Sequence, residues 1–83
     1  MREQVQWFAE QMESKLKEND HKGGWLECDY EYLIARLREE SLELRVSLES
    51  AITDEDILEV IRESVDVANF AMMIADKARR SID

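Results

Sequence analysis

In a chain of 83 residues without proline, the only glycines are the adjacent pair Gly23-Gly24. Proline and glycine are the two residues most hostile to a helix interior, so every stretch outside that pair is free to be helical. The chain is 45% hydrophobic and 37% charged, the mixture of amphipathic helices. The expected fold class is all-α. The length fits one domain, 1–83, whose single core supplies only a few kcal/mol of net stability. Assembly of the protomer into an oligomeric helical bundle, a homodimer or homotetramer, is therefore expected.

Eleven basic against twenty acidic residues give a formal charge of −9. That balance opposes direct contact with nucleic-acid backbones or anionic membranes, and a polyanionic ligand would need metal ions. The lone Cys28 cannot close a disulfide within the chain, and no apolar run approaches the roughly 20 residues of a membrane span. The opening Met-Arg-Glu-Gln does not look like a signal peptide. A cytoplasmic setting is the expectation.

Three helices follow from the spacing of apolar side chains. The first, over about residues 2–18, aligns Val5, Phe8, Ala9, Met12 and Leu16 and runs into Asn19-Asp20-His21-Lys22-Gly23-Gly24, where both glycines can take positive φ. The second, capped by Asp29, carries Tyr30, Ile34, Leu37, Ser41, Leu44 and Leu48 as one seam, with Ala35, Leu42 and Val46 on the opposite side. A three-helix monomer leaves that second strip uncovered, and a partner subunit is its simplest cover. The third, capped by Thr53, begins with Asp54, Glu55 and Asp56 and ends with Lys77, Arg79 and Arg80, charges that complement the helix dipole. Its first seam is Ile57, Ile61, Val65, Ala68, Met72 and Ala75. Phe70, Met73 and Ile74 lie on the far side, implying burial on two faces.

The chemistry rests on carboxylates. Glu40 and Glu43 share a face of the second helix, Glu63 and Asp66 a face of the third, and side-by-side packing would bring all four together. Oxygen ligands suit hard cations, above all Mg²⁺, which retains waters and also takes phosphate oxygens. Taken alone, Glu40 and Glu43 read equally well as a solvated surface with Arg36 as an ion-pair partner. Asp66 resists that reading, because it lies in an apolar run with Arg62 as the only cation one turn away.

Arg38-Glu39-Glu40-Ser41-Leu42-Glu43-Leu44 resembles the EExxE helix of the MazG-like all-α nucleoside triphosphate pyrophosphohydrolases, the superfamily of MazG and the dimeric dUTPases and dCTPases. Glu63-Ser64-Val65-Asp66-Val67-Ala68-Asn69-Phe70 resembles the ExxD helix of that family. Nineteen residues lie between Glu43 and Glu63, within the family's usual range. His21-Lys22-Gly23-Gly24-Trp25 is similar in place to the Trp-containing segment before the EExxE helix. The resemblance spans about Phe8 to Arg80.

It implies Mg²⁺, or Mn²⁺, held by Glu40, Glu43, Glu63 and Asp66, and hydrolysis of a nucleoside triphosphate to a monophosphate and pyrophosphate, a nucleotide-pool cleansing reaction. Such chemistry needs charge neutralisation and an aligned water. Glu39 or Glu40 is the candidate catalytic carboxylate for that water. Lys22 is a candidate phosphate contact or an ordinary loop lysine. Trp25 is a candidate base-stacking residue or part of the core or pocket wall. Asn69 can bond a base or sugar, or support Asp66. His21 and Cys28 are too isolated for a site of their own.

Many relatives continue into a further helix that helps close the site, whereas this sequence stops at Asp83. Another subunit would then complete the pocket, or the fold is kept without the activity. The rival reading is a non-enzymatic acidic interaction module, against which stand Asp66 and Asn69 inside an apolar helix.

Overall fold

The computed structural model describes residues 1–20 and 23–82, so the Lys22 contact and His21 lie outside the described residues. Three helices, α1 (Glu3–Glu18), α2 (Tyr30–Ser50) and α3 (Asp54–Arg80), make up the fold, with a short 3₁₀ turn at Trp25–Glu27 between the first two. The described residues form no strand. None of the helices is long and apolar enough to cross a membrane.

Both expected caps form. Asp29 Oδ1 accepts the Tyr32 amide at 2.8 Å. At Thr53 a reciprocal capping box closes: the hydroxyl accepts the Asp56 amide at 3.2 Å, and the Asp56 carboxylate accepts the amides of Ile52 and Thr53, each at 3.0 Å. Those bonds hold the Asp56 carboxyl below its ordinary range, the Thr53 backbone bond contributing most. They also fix the three-residue link 51–53, and so short a link makes α2 and α3 antiparallel neighbours.

α3 is the centre of the molecule. α2 packs along it most extensively, and α1 and the 3₁₀ turn also rest on α3, while α1 and α2 share no interface. Among the described residues after α1, Gly23 takes a positive φ, 89°, and uses the freedom both glycines offer, whereas Gly24 is extended at φ −90°, ψ 153°.

The inward line of α2 differs from the expected seam. Leu33, Leu37, Glu40, Leu44 and Ser47 turn toward the fold, whereas Tyr30, Ile34, Ser41 and Leu48 are exposed. The cause is Glu40, a carboxylate in a core position: a seam traced through apolar residues alone is displaced around it. Val5 and Ala9 on α1, and Ile57 and Ala75 on α3, are likewise exposed instead of inward, because each helix covers only part of its neighbour's length.

Among the described residues the buried apolar side chains are Leu33 and Val65, against three buried polar ones, Glu40, Asn69 and Asp76. The radius of gyration is 13.9 Å, beyond the about 12 Å of a compact chain this long. The accessible surface is 6438 Å², where a compact monomer of this mass exposes about 5,200 Å². Part of the surplus is the strip Ala35, Leu42 and Val46, which is exposed as expected, with Leu42 61% and Val46 57% accessible.

Candidate metal centre and adjoining pocket

Packing α2 against α3 brings the two acidic pairs to one seam. Glu40 is only 5% exposed. Its Oε1 accepts a bond from Arg36 Nη2 at 2.9 Å, while its Oε2 is buried with no partner. Glu63 Oε2, on the facing helix, is buried and unpartnered as well. One oxygen from each of Glu40, Glu43 and Glu63 falls within 4.8 Å of the other two. Asp66 stays outside that tight trio, half-buried one turn along α3, although its charge reaches both Glu40 and Glu63.

The electrostatics follow from this crowding. Burial pushes the Glu40 carboxyl up, the close approach and charge of Glu43 and the charge of Asp66 add to that, and Arg36 partly offsets it. Glu63 is pushed up to about 7, first by burial, then by the nearby carboxylates of Glu59, Glu43 and Asp66. Asp66 is also raised, chiefly by burial; Lys15 and Arg36 pull it back down. A bare cluster of this kind holds protons that ordinary carboxyls would have released.

Beside the carboxylates opens a pocket of about 400 Å³ between α1, the 3₁₀ turn, α2 and α3. Glu40, Asp66 and Asp20 are its acidic lining, Trp25, Tyr32 and Phe70 its aromatic surface, and Lys15 and Arg36 its cations. The volume is in the range of small-molecule sites. Trp25 is a pocket wall, the core-side alternative for this residue. Its indole Nε1 donates to Asp76 Oδ2 at 3.0 Å, which ties the segment before α2 to the far end of α3. Lys77 adds a second tie, donating to the Leu26 carbonyl at 3.2 Å and lying 5.2 Å from the Tyr30 ring centroid.

Two expected site residues lie elsewhere. Glu39 is exposed and paired with Arg36, away from the acidic trio. Asn69, 3% exposed, faces α1: its Nδ2 donates to the Met12 carbonyl at 3.3 Å and its Oδ1 is buried without a partner. It does not line the pocket. Arg62 turns to Glu59 and Glu55, leaving Asp66 without that partner.

Arg36 was legible as an ion-pair partner of Glu40, but two further residues of the site region, Lys15 and Asp76, carried no sequence signal of their role. Arg36 spans Glu39 and Glu40 and lies 5.2 Å from the Phe70 ring centroid. Lys15 reads as an ordinary polar position on α1. Asp76 reads as one more surface acid, yet it is buried and takes bonds from Trp25, Arg79 and Arg80. The Arg79 bond leads in holding its carboxyl below the ordinary range.

The donor set fits a hard divalent cation. All candidate ligands are carboxylate oxygens, and two of them are buried with nothing to bond. A buried, unpaired carboxylate is costly, and a metal ligand role removes that cost. No protein-family model, curated protein or solved structure matches this chain.

Proposed function

We propose that this protein is a Mg²⁺-dependent nucleoside triphosphate pyrophosphohydrolase, splitting its substrate into a monophosphate and pyrophosphate, as the MazG-like resemblance implies. The observation that carries the proposal is the pair of unpartnered buried oxygens, Glu40 Oε2 and Glu63 Oε2, meeting Glu43 beside a pocket of about 400 Å³. Glu40, Glu43 and Glu63 would hold the cation, with Asp66 completing the set. Bound Mg²⁺, or Mn²⁺ in its place, would neutralise phosphate charge that a chain of net charge −9 otherwise repels.

The chain's own residues supply the rest. Glu40, with its affinity for protons raised by burial, is the better suited of the two candidate carboxylates to orient and deprotonate a water, since Glu39 is committed to Arg36 at the surface. Arg36 holds Glu40 by its other oxygen and so sets the direction of Oε2. Trp25, anchored through its N–H, presents a ring to the pocket and is the candidate surface for a nucleobase. Leu33 and Met73 line the same pocket and exclude water from part of it.

A homodimer or homotetramer belongs to the same proposal. The surplus of about 1,200 Å² over a compact monomer exceeds the about 800 Å² that each partner of a standard interface buries. The strip Ala35, Leu42 and Val46 is the face proposed to be covered. That strip equally favours a second reading, a non-enzymatic interaction module, which the unpartnered carboxylates do not require. The free thiol of Cys28 accords with a cytoplasmic setting.

The deciding experiment measures pyrophosphate release from a panel of common and damaged nucleoside triphosphates, with and without Mg²⁺, for wild type and Glu63→Gln. Metal-dependent release by wild type, lost in the variant, supports the enzyme. Absence of turnover on every substrate supports the interaction module or a catalytically silent relative.

A further inference from the structure

Among the described residues, one cation of the pocket forms no direct ion pair or hydrogen bond, although its charge reaches Asp66. Among the described residues Arg36, Arg45, Arg62, Arg79 and Arg80 all form ion pairs, and Lys77 is engaged by the Leu26 carbonyl and the Tyr30 ring. Arg2, Lys17 and Arg38 have no ion pair and are exposed, where water solvates them. Lys15 is different. It is half-buried, lines the pocket, and has neither a carboxylate within 4.0 Å nor a hydrogen bond from its ammonium among the described residues. Its charge acts on Asp66 without a direct contact, so the ammonium stays free to bond a ligand in the pocket.

The geometry of the pocket suggests what the ammonium is for. Lys15 lies on the α1 wall, while the carboxylates come from α2 and α3, so the cation and the acidic centre border one cavity from different elements. Arg36 is not an equivalent alternative, because its guanidinium is already divided between Glu39 and Glu40. A ligand with several negative charges, one part of which is neutralised at the acidic centre, leaves other anionic oxygens in need of a donor across the cavity.

We propose that Lys15 is a substrate-binding residue that contacts a phosphate oxygen of the polyphosphate chain from the α1 wall of the pocket. This rests on the pyrophosphohydrolase reading and goes beyond it by placing the phosphate contact on α1. A charged hydrogen bond of this kind acts on ground state and transition state alike, so its loss raises KM and leaves kcat nearly unchanged.

The test is calorimetric titration with Mg²⁺ alone and with Mg²⁺-tripolyphosphate, a base-free probe of the same chain chemistry, on wild type, Lys15→Met, Lys15→Arg and the exposed control Lys17→Met. Circular dichroism confirms that each variant is helical. The expected result is that Lys15→Met weakens tripolyphosphate binding roughly tenfold to a hundredfold, the range of a charged hydrogen bond. Lys15→Arg should restore most of it, and Lys17→Met should match wild type. Mg²⁺ alone should bind Lys15→Met at least as well as wild type, since a nearby positive charge has been removed. Equal tripolyphosphate affinity for Lys15→Met and wild type would overturn the proposal while leaving the enzymatic reading intact. If wild type binds Mg²⁺ but neither tripolyphosphate nor any nucleoside triphosphate, the enzymatic reading fails and takes the Lys15 contact with it.

Discussion

Arg36 donates to one oxygen of Glu40 at 2.9 Å and leaves the other buried with no partner. A salt bridge that only stabilised α2 would have no reason to bury half of its carboxylate in this way, because desolvation offsets most of what such a pair contributes. Across the seam, the unpartnered oxygen of Glu63 is in the same condition. The two together separate this cluster from the many exposed acids of the chain.

Replacing Glu40 by Gln should lower pyrophosphate release by roughly 10²–10⁴-fold, the span of a lost general base. Glu63→Gln should act mainly through the metal, with weaker Mg²⁺ binding by calorimetry. Without Mg²⁺ the same variant should melt at a higher temperature than wild type, since it removes one of several crowded charges. A lower melting temperature for metal-free Glu63→Gln would contradict the repulsion described for this site.

The pH dependence has a definite sign. Glu63 is raised from 4.5 to about 7, so between those values the folded chain binds more protons than the unfolded chain. Metal-free stability should therefore fall as pH rises through that window, and the full penalty should be present above about 7. Mg²⁺ competes with those protons, so its affinity should rise over the same range and saturating Mg²⁺ should flatten the stability profile. Melting curves at several pH values, with and without the ion, check both halves.

The Trp25–Asp76 bond joins residues 51 apart in sequence. Trp25→Phe removes the donor and should lower the melting temperature, although Asp76 Oδ2 keeps its bond from Arg80. Asp76→Asn keeps an acceptor for the indole but weakens the Arg79 and Arg80 contacts. The double variant should then lose less than the sum of the singles in denaturant titrations. Strict additivity would show that the two side chains do not cooperate.

Leu42→Glu places a charge in the middle of the exposed strip. It should convert an oligomer into a monomer in analytical ultracentrifugation with little change in helicity. A wild-type protein that is monomeric at every concentration tested would remove the proposed interface.

Much of the architecture is readable from local chemistry. Asp29 and Thr53 announce the starts of α2 and α3 because a cap needs only a side chain and an amide three residues on. The proximity of Glu40, Glu43 and Glu63 was legible as well, since helical spacing orients each pair and a short link forces their helices together. The inward line of α2 was not, because Glu40 takes a core position that apolar periodicity assigns to no acid. Local patterns follow the general rule until a residue is placed against it, and such places tend to be functional. Asp76 and Lys15 escaped for another reason: the pocket and the Trp25 partner that give them their setting come from other elements, and no local pattern encodes a partner dozens of residues away.

The arrangement of α1 has a kinetic consequence. α1 contains no fully buried residue and rests on α3 alone, whereas the acidic centre is built entirely by the α2–α3 hairpin. Opening of α1 would dismantle the pocket and leave the carboxylates assembled, so the two halves of the site can have separate lifetimes. Amide hydrogen exchange should divide accordingly, rapid along α1 and slow in the middle of α3, and a ligand that bridges Lys15 to the acidic seam should slow the first set toward the second.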